Sequence, residues 1–176
     1  FLRTGDATPL KRVLEHNRLD LLTLANLTAR AINLVRLGSE QVRHPREALA
    51  LGRIYARAGF EARARLAYQH AVELSKPAVS SEIRVEALRF LARAMRRSRR
   101  YDEAVRCWRQ ILESPGCAGP IVSEANEALA IHHEHRVRDL DSAQTFALRS
   151  LKNEGHPAWN EAVRRRRARI QRKMET

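Results

Sequence analysis

The chain has 176 residues, with 33 Lys and Arg against 20 Asp and Glu, a formal net charge of +13 and a pI of about 11.1. No apolar stretch approaches the roughly 20 residues that cross a bilayer, and two cysteines are too few for a disulfide framework or a CxxC metal site. We therefore expect a cytoplasmic protein, because thiols stay reduced in that compartment. The large positive charge favours a polyanionic partner such as DNA or RNA.

A long first helix is predicted near residues 9–36, and it contains the pentapeptide His16-Asn17-Arg18-Leu19-Asp20. A spacing of four residues places His16 and Asp20 one turn apart on the same face of a helix. A carboxylate and an imidazole that meet at one point can hold a divalent cation and accept a proton from water. Most such pairs on helices are solvated or capping pairs, so the spacing alone does not define an active site.

The segment around this pentapeptide, LKRVLEHNRLDLLTLANL, resembles the last motif of the DnaQ-like exonucleases of the ribonuclease-H fold. It is most similar to the bacterial YprB-type branch, in which the nuclease domain carries a C-terminal tetratricopeptide (TPR) tail. The resemblance implies that residues 1–37 end such a domain, with Asp20 as a metal ligand, His16 as the base and Asn17 as a supporting group. The four-residue spacing is that of the Tyr-type members, whereas a spacing of five is expected in the His-type members.

This resemblance implies a metal-dependent 3′–5′ exonuclease that acts on DNA, in bacterial DNA repair, with Mg²⁺ or Mn²⁺ in the complete enzyme. In such an enzyme three further acidic ligands come from upstream strands and helices, and no run in this chain reads as a strand. We therefore expect the chain to be the C-terminal portion of a longer protein. Alone it should be inactive, because one carboxylate cannot hold a pair of metal ions.

Three helix-turn-helix units are predicted after the first helix, from an alignment on Ala64, Ala104 and Ala143. In the first unit, Gly52 and Ala64 are small where two helices meet, and Tyr68 fills the wedge between them, as in the TPR pattern of 34 residues. The units are predicted at 44–77, 80–116 and 121–154. Their helices are predicted near 44–58, 61–75, 80–98, 101–114, 121–137 and 140–153. The expected fold class is all-α, a TPR-like solenoid of helical hairpins preceded by the last helix of a ribonuclease-H-like domain.

Arginines concentrate in two clusters, one at the end of a predicted helix near residue 98 and one in a basic capping helix at 157–176. Either cluster is explained by a solvated face or by contact with phosphates. In the last helix, Val163 and Ile170 belong to an apolar stripe that is predicted to lie opposite the arginines and to cover the last repeat. The candidate nucleic-acid-binding residues are Arg96, Arg97, Arg99, Arg100, Arg164, Arg165, Arg166, Arg167, Arg169, Arg172 and Lys173.

Three histidines near residue 133 do not predict a metal site, because they lack the HExxH spacing and a cysteine partner. Glu134 and Arg138, one helical turn apart, are predicted to form an ion pair. Cys107 and Trp108 are predicted to be core residues on a packed helix.

A second function remains open at this point, that of a non-catalytic TPR scaffold whose curved inner face binds a partner protein. The two functions also combine, since the repeats could recruit a helicase or another repair factor to a nuclease. The repeats themselves do not identify the partner.

Overall fold

The computed structural model describes residues 8–76, 81–151 and 157–175, and in these ranges it contains helices and no strands. The expected all-α class is confirmed. The helices are α1 (Thr8–Leu37), α2 (Pro45–Arg57), α3 (Glu61–Leu74), α4 (Ser81–Arg97), α5 (Tyr101–Glu113), α6 (Gly119–His132), α7 (Leu140–Ser150) and α8 (Pro157–Met174). A 3₁₀ turn (Ser39–Gln41) follows α1, and a π-helical segment (His133–Val137) continues α6, where the sequence predicted one uninterrupted helix.

The helices form a stack in which each packs mainly against its neighbours along the chain. The pairs α2/α3, α4/α5 and α6/α7 are helical hairpins joined by short turns, and α3, α5 and α7 each contact the first helix of the following element. Because short connections place helices side by side in opposite directions, all three hairpin turns lie along one edge of the stack. Among the described residues, no helix is both long enough and apolar enough to span a bilayer.

Small residues set the distance between the helices of each hairpin. Ala64, Ala104 and Ala143, the residues that align the three units, are all buried. Tyr68 and Trp108 are also buried and fill the space between helices with large side chains, as the sequence predicted. Alternating large and small side chains lets the layers interdigitate, which is the physical basis of the repeated pattern.

The three hairpin turns share one backbone geometry, a left-handed residue after the first helix of the hairpin. This residue is Gly59 (φ 80°) in the first turn, Arg99 (φ 59°) in the second and Arg138 (φ 62°) in the third. In each turn, the amide of the next residue donates a hydrogen bond back to the first helix. The acceptor carbonyl lies five residues earlier in the first two turns, with bonds of 2.9 Å each, and six residues earlier in the third, with a bond of 3.1 Å. This is the helix-ending arrangement that satisfies free carbonyls and that ordinarily uses glycine.

Helix α1 is anchored to the stack through its C-terminal third. The hydroxyl of Tyr55 donates a 2.7 Å hydrogen bond to the carbonyl of Val35, and Arg30 forms a 2.7 Å ion pair with Glu47. Leu34 also packs against the core of the hairpins. The preceding two-thirds of α1 are exposed along their whole described length.

Helix α8 covers the end of the stack with Val163 and Ile170, which are both buried. The arginines of α8 do not all lie opposite this apolar stripe, so that part of the prediction is wrong. Arg166 forms a 2.8 Å ion pair with Glu127. Some arginines of α8 face the stack because acidic side chains of α6 and of the π-helical segment reach the side of α8.

Candidate functional site

His16 and Asp20 meet on the exposed part of α1. The Nε2 atom of His16 lies 3.4 Å from the Oδ2 atom of Asp20, and the two side chains are 76% and 67% exposed. Asn17, the predicted supporting residue, is exposed on the next position of the same helix. The structure therefore brings the predicted base and metal ligand together, as their spacing on a helix requires.

The donors that a metal site needs are present only in part. Among residues 8–76, 81–151 and 157–175, no three His, Cys, Asp or Glu side chains group closely enough to hold a metal ion. Asp20 contributes one carboxylate, which suits Mg²⁺ or Mn²⁺ in kind but not in number, because these ions take several oxygen ligands. The described residues alone do not fit a complete metal site.

Large apolar side chains surround the His16–Asp20 pair on α1. They are exposed, and between residues 19 and 27 they point in all directions around the helix axis. Leu14, Leu21 and Leu24, for example, are 68%, 67% and 61% exposed. A helix that is apolar on every side is normally buried within a larger core. The exposed members of this set are Leu10, Val13, Leu14, Leu19, Leu21, Leu22, Leu24, Leu27 and Ile32.

The candidate nucleic-acid-binding residues divide into two groups. Six of them form ion pairs with carboxylates of the chain: Arg97, Arg100, Arg165, Arg166, Arg169 and Lys173. Arg96, Arg99, Arg164 and Arg167 have no ion pair with a described residue, and Arg172 donates a 3.3 Å hydrogen bond to the carbonyl of Ala168. The cations of α8 thus serve in part to hold that helix in place.

Glu134 is the centre of the contact between α8 and the π-helical segment. Its side chain is fully buried and accepts hydrogen bonds of 2.8 Å from both Nε and Nη2 of Arg169 and of 2.9 Å from Nζ of Lys173. Burial alone would raise the pKa of Glu134, but these hydrogen bonds outweigh it and lower the pKa to about 2. The predicted ion pair between Glu134 and Arg138 is therefore wrong, because the chain turns left-handed at Arg138 and Glu134 faces α8.

The histidines near residue 133 take structural positions. The ring of His133 is buried against Phe146, with ring centroids 5.3 Å apart, and meets the ring of His132 edge to face. Burial, with the neighbouring His133 as a further cause, lowers the pKa of His132. Cys107 and Trp108 are buried in the core, as predicted.

Sequence reasoning missed the arginines that extend the cluster near residue 98 along the hairpin turns. Arg57 lies at the end of α2, and Arg136 and Arg138 lie in the third turn. All three side chains are exposed. The signal was present in the repeat alignment, since Gly59, Arg99 and Arg138 occupy the same position relative to the aligning alanines.

Comparison with known proteins assigns no family to the chain. No protein-family model matches the sequence, and no curated protein matches it significantly.

Proposed function

We propose that this chain is the C-terminal region of a metal-dependent 3′–5′ exonuclease of the DnaQ-like class, acting on DNA in repair. In this proposal, α1 is the last helix of the ribonuclease-H-like catalytic domain. The hairpins α2/α3, α4/α5 and α6/α7 are TPR-like repeats, and α8 is their cap. The bacterial YprB-type resemblance supplies the direction of cleavage, the substrate and the process.

One observation carries the proposal, the combination on α1 of a His–Asp pair with apolar residues on all sides. A surface helix has an apolar stripe on one side only, whereas a helix inside a domain is apolar around its circumference. The N-terminal part of α1 also carries charged side chains, including Glu15 and Arg18. The His16–Asp20 pair, with its atoms 3.4 Å apart, lies where this charged part meets the apolar stretch at 19–27. A helix of this kind suits the interior of a catalytic domain, with the pair facing the reaction site.

The roles of the residues follow from their chemistry. Asp20 would provide a carboxylate oxygen to Mg²⁺ or Mn²⁺, and the cation would activate water and neutralise charge on the phosphate when bound. His16 is placed to accept a proton, and Asn17 to hold a neighbouring polar group by hydrogen bonds. The further carboxylates of the site would have to come from residues outside the described ranges.

The test is nuclease activity of the complete protein with a single substitution, Asp20→Asn. This change keeps the size of the side chain but removes its charge. Replacement of residues that only support a metal ligand costs about 10- to 100-fold, so we expect a loss of at least about 100-fold in Mg²⁺-dependent activity. Glu15→Gln is the matched control, because Glu15 is an exposed carboxylate on the same helix, paired with Arg18. Full activity of the Asp20→Asn protein would exclude the proposed role.

A non-catalytic scaffold is the second candidate, and the core of the hairpins favours it. The first two hairpins and α6 share one buried cluster that includes Leu51, Tyr68, Leu88, Trp108 and Leu129, to which α1 contributes only partly buried residues. The buried apolar residues of α7 form a second cluster with Ile170 of α8. Such a stack can present a binding surface without any catalytic domain. A complete protein that lacks Mg²⁺- and Mn²⁺-dependent nuclease activity in its unsubstituted form would favour this candidate.

A further inference from the structure

We propose that the edge formed by the three hairpin turns binds the phosphate backbone of a nucleic-acid strand. This inference rests on the proposed nucleic-acid function and names the surface that carries it. We call this edge the hairpin-tip surface, and we define it by its exposed arginines. They are Arg57, Arg97, Arg99, Arg100, Arg136 and Arg138.

Direct contacts between successive turns make this a continuous surface. Arg65, near the first turn, donates a 3.0 Å hydrogen bond to the hydroxyl of Ser98 in the second. Arg97 in the second turn lies 3.8 Å from the carboxylate of Glu61 in the first. The guanidinium of Arg136 in the third turn lies 3.8 Å from the ring centre of Tyr101 in the second. A strand that follows this edge would therefore meet cations from all three turns.

The left-handed backbone conformation at Arg99 and Arg138 supports phosphate binding separately from the contacts between the turns. A residue with a Cβ atom is strained in this conformation, which is why glycine is common at the end of a helix and occupies the first turn as Gly59. Arginine at two of the three equivalent positions is unfavourable for the backbone. The hydrogen bonds of the turns hold this backbone conformation, but neither the Arg99 nor the Arg138 side chain forms an ion pair with a residue in the described ranges. An unfavourable backbone conformation at a residue whose side chain forms no ion pair within the fold points to a role in binding.

The charge of the two edges of the stack differs. At the hairpin-tip surface the six arginines face five carboxylates, Glu61, Asp102, Glu103, Asp139 and Asp141. Three of these carboxylates already have partners, because Glu61 pairs with Arg97, Glu103 pairs with Arg100 and Asp139 accepts a hydrogen bond from the amide of Ser142.

At the opposite edge α2 and α4 begin and α3, α5 and α7 end. Among the described residues there, five cations stand against five carboxylates: Arg43, Arg46, Lys76, Arg84 and Arg149 against Glu40, Glu47, Glu73, Glu82 and Glu113. Cations outnumber carboxylates at the tips, whereas the two are equal in number at the opposite edge, so a polyanion is attracted more strongly to the tips.

The ion pairs that hold α8 also favour the hairpin-tip surface as the phosphate-binding site. Arg166, Arg169 and Lys173 are held by Glu127 and Glu134, so a phosphate would have to displace a buried or half-buried carboxylate to reach them. The arginines at the left-handed positions need no such displacement. Phosphate contacts at Arg99 and Arg138 thus cost less free energy than contacts along this flank of α8.

The test is the salt dependence of binding of the 176-residue chain to a fluorescent single-stranded DNA, in the variant that combines Arg99→Gly and Arg138→Gly. The two glycines fit the left-handed backbone, so the variant should fold at least as well as the parent chain. We expect weaker binding for every base sequence and a salt slope reduced by about 0.7 for each arginine removed. Arg43→Gln with Arg46→Gln is the matched control, because both residues are exposed and lie at the other end of α2.

The outcomes are distinct. A larger loss of affinity and slope in the tip variant than in the control supports the proposal, while equal losses overturn it. Binding of an acidic polypeptide such as poly-glutamate at the tips, without binding of DNA or RNA, also overturns it in favour of a protein partner. Parallel titrations with duplex DNA and with RNA identify which phosphate backbone fits best. Because no cleavage is measured, failure of the nuclease proposal would leave this result unchanged.

Discussion

Gly52 lies so close to Tyr68 that a Cβ atom on Gly52 would come within 2.4 Å of the Cε1 atom of the tyrosine ring. Both residues are buried, and the ring also stacks on Phe90 with centroids 5.3 Å apart. The ring therefore has little room to retreat, and the packing of α2 against α3 depends on the missing side chain of Gly52. Burial also raises the pKa of the Tyr68 hydroxyl.

Gly52→Ala should destabilise the chain by about 1–3 kcal/mol, the usual cost of adding volume to a well-packed core. Alanine has the better helix propensity, so any loss must come from the clash with the ring. Chemical denaturation measures the change. Adding Tyr68→Leu to Gly52→Ala tests the cause, because the two substitutions should then be clearly non-additive. Simple additivity would contradict the proposed clash.

Exchanging arginine and glycine at the equivalent turn positions should have opposite effects on stability. Arg99→Gly should stabilise the fold by about 1 kcal/mol, because glycine tolerates the left-handed conformation at φ 59°. Gly59→Arg should destabilise it by a similar amount, since φ there is 80°. A shift of melting temperature of about 2–4 °C in each direction is expected for a chain of this size. Shifts of the same sign in both variants would contradict the argument from backbone strain.

The contact between α8 and the π-helical segment should weaken in acid. The pKa of Glu134 is lowered from 4.5 to about 2, so its contribution is fully present above pH 4.5 and is lost as the pH falls through about 2. A shift of this size corresponds to about 3 kcal/mol. Hydrogen exchange of α8 between pH 5 and pH 2 measures the loss. Glu134→Gln should remove most of this pH dependence, while Glu113→Gln, at an exposed carboxylate, should retain it.

The two thiols should differ in reactivity. Burial, with the carboxylate of Glu103 as a smaller cause, raises the pKa of Cys107 to about 11. Cys117 is only half-buried, although burial raises its pKa as well. A thiol reagent at pH 8 should therefore label Cys117 first, and mass spectrometry of the labelled peptides identifies the site. Rapid labelling of Cys107 in the folded chain would show that α5 opens easily.

The repeat pattern predicted the fold well because it records contacts between neighbouring elements. The alignment on Ala64, Ala104 and Ala143 placed the hairpins, and the large residues Tyr68 and Trp108 were correctly predicted to be buried. These residues form contacts between helices that are neighbours along the chain, so one sequence is enough to predict them.

Contacts between distant residues could not be read in the same way. The ion pairs of Glu134 join it to residues 35 and 39 positions later, and no periodicity indicates them. The i,i+4 rule suggested Arg138 instead, but that rule holds only while the helix continues. In the candidate site, helix geometry was enough to predict that His16 and Asp20 lie side by side. The roles of these two residues stay a prediction.

The unbroken course of α1 has a consequence for the geometry of the whole protein. Asp20 and the Arg30 anchor belong to one continuous helix, so about 15 Å of rigid rod separates them along the axis. Each residue added to that rod would rotate everything before it by about 100° and advance it by about 1.5 Å. The number of helical residues between Asp20 and Arg30 would thus determine the direction in which the His16–Asp20 pair faces relative to the stack of hairpins.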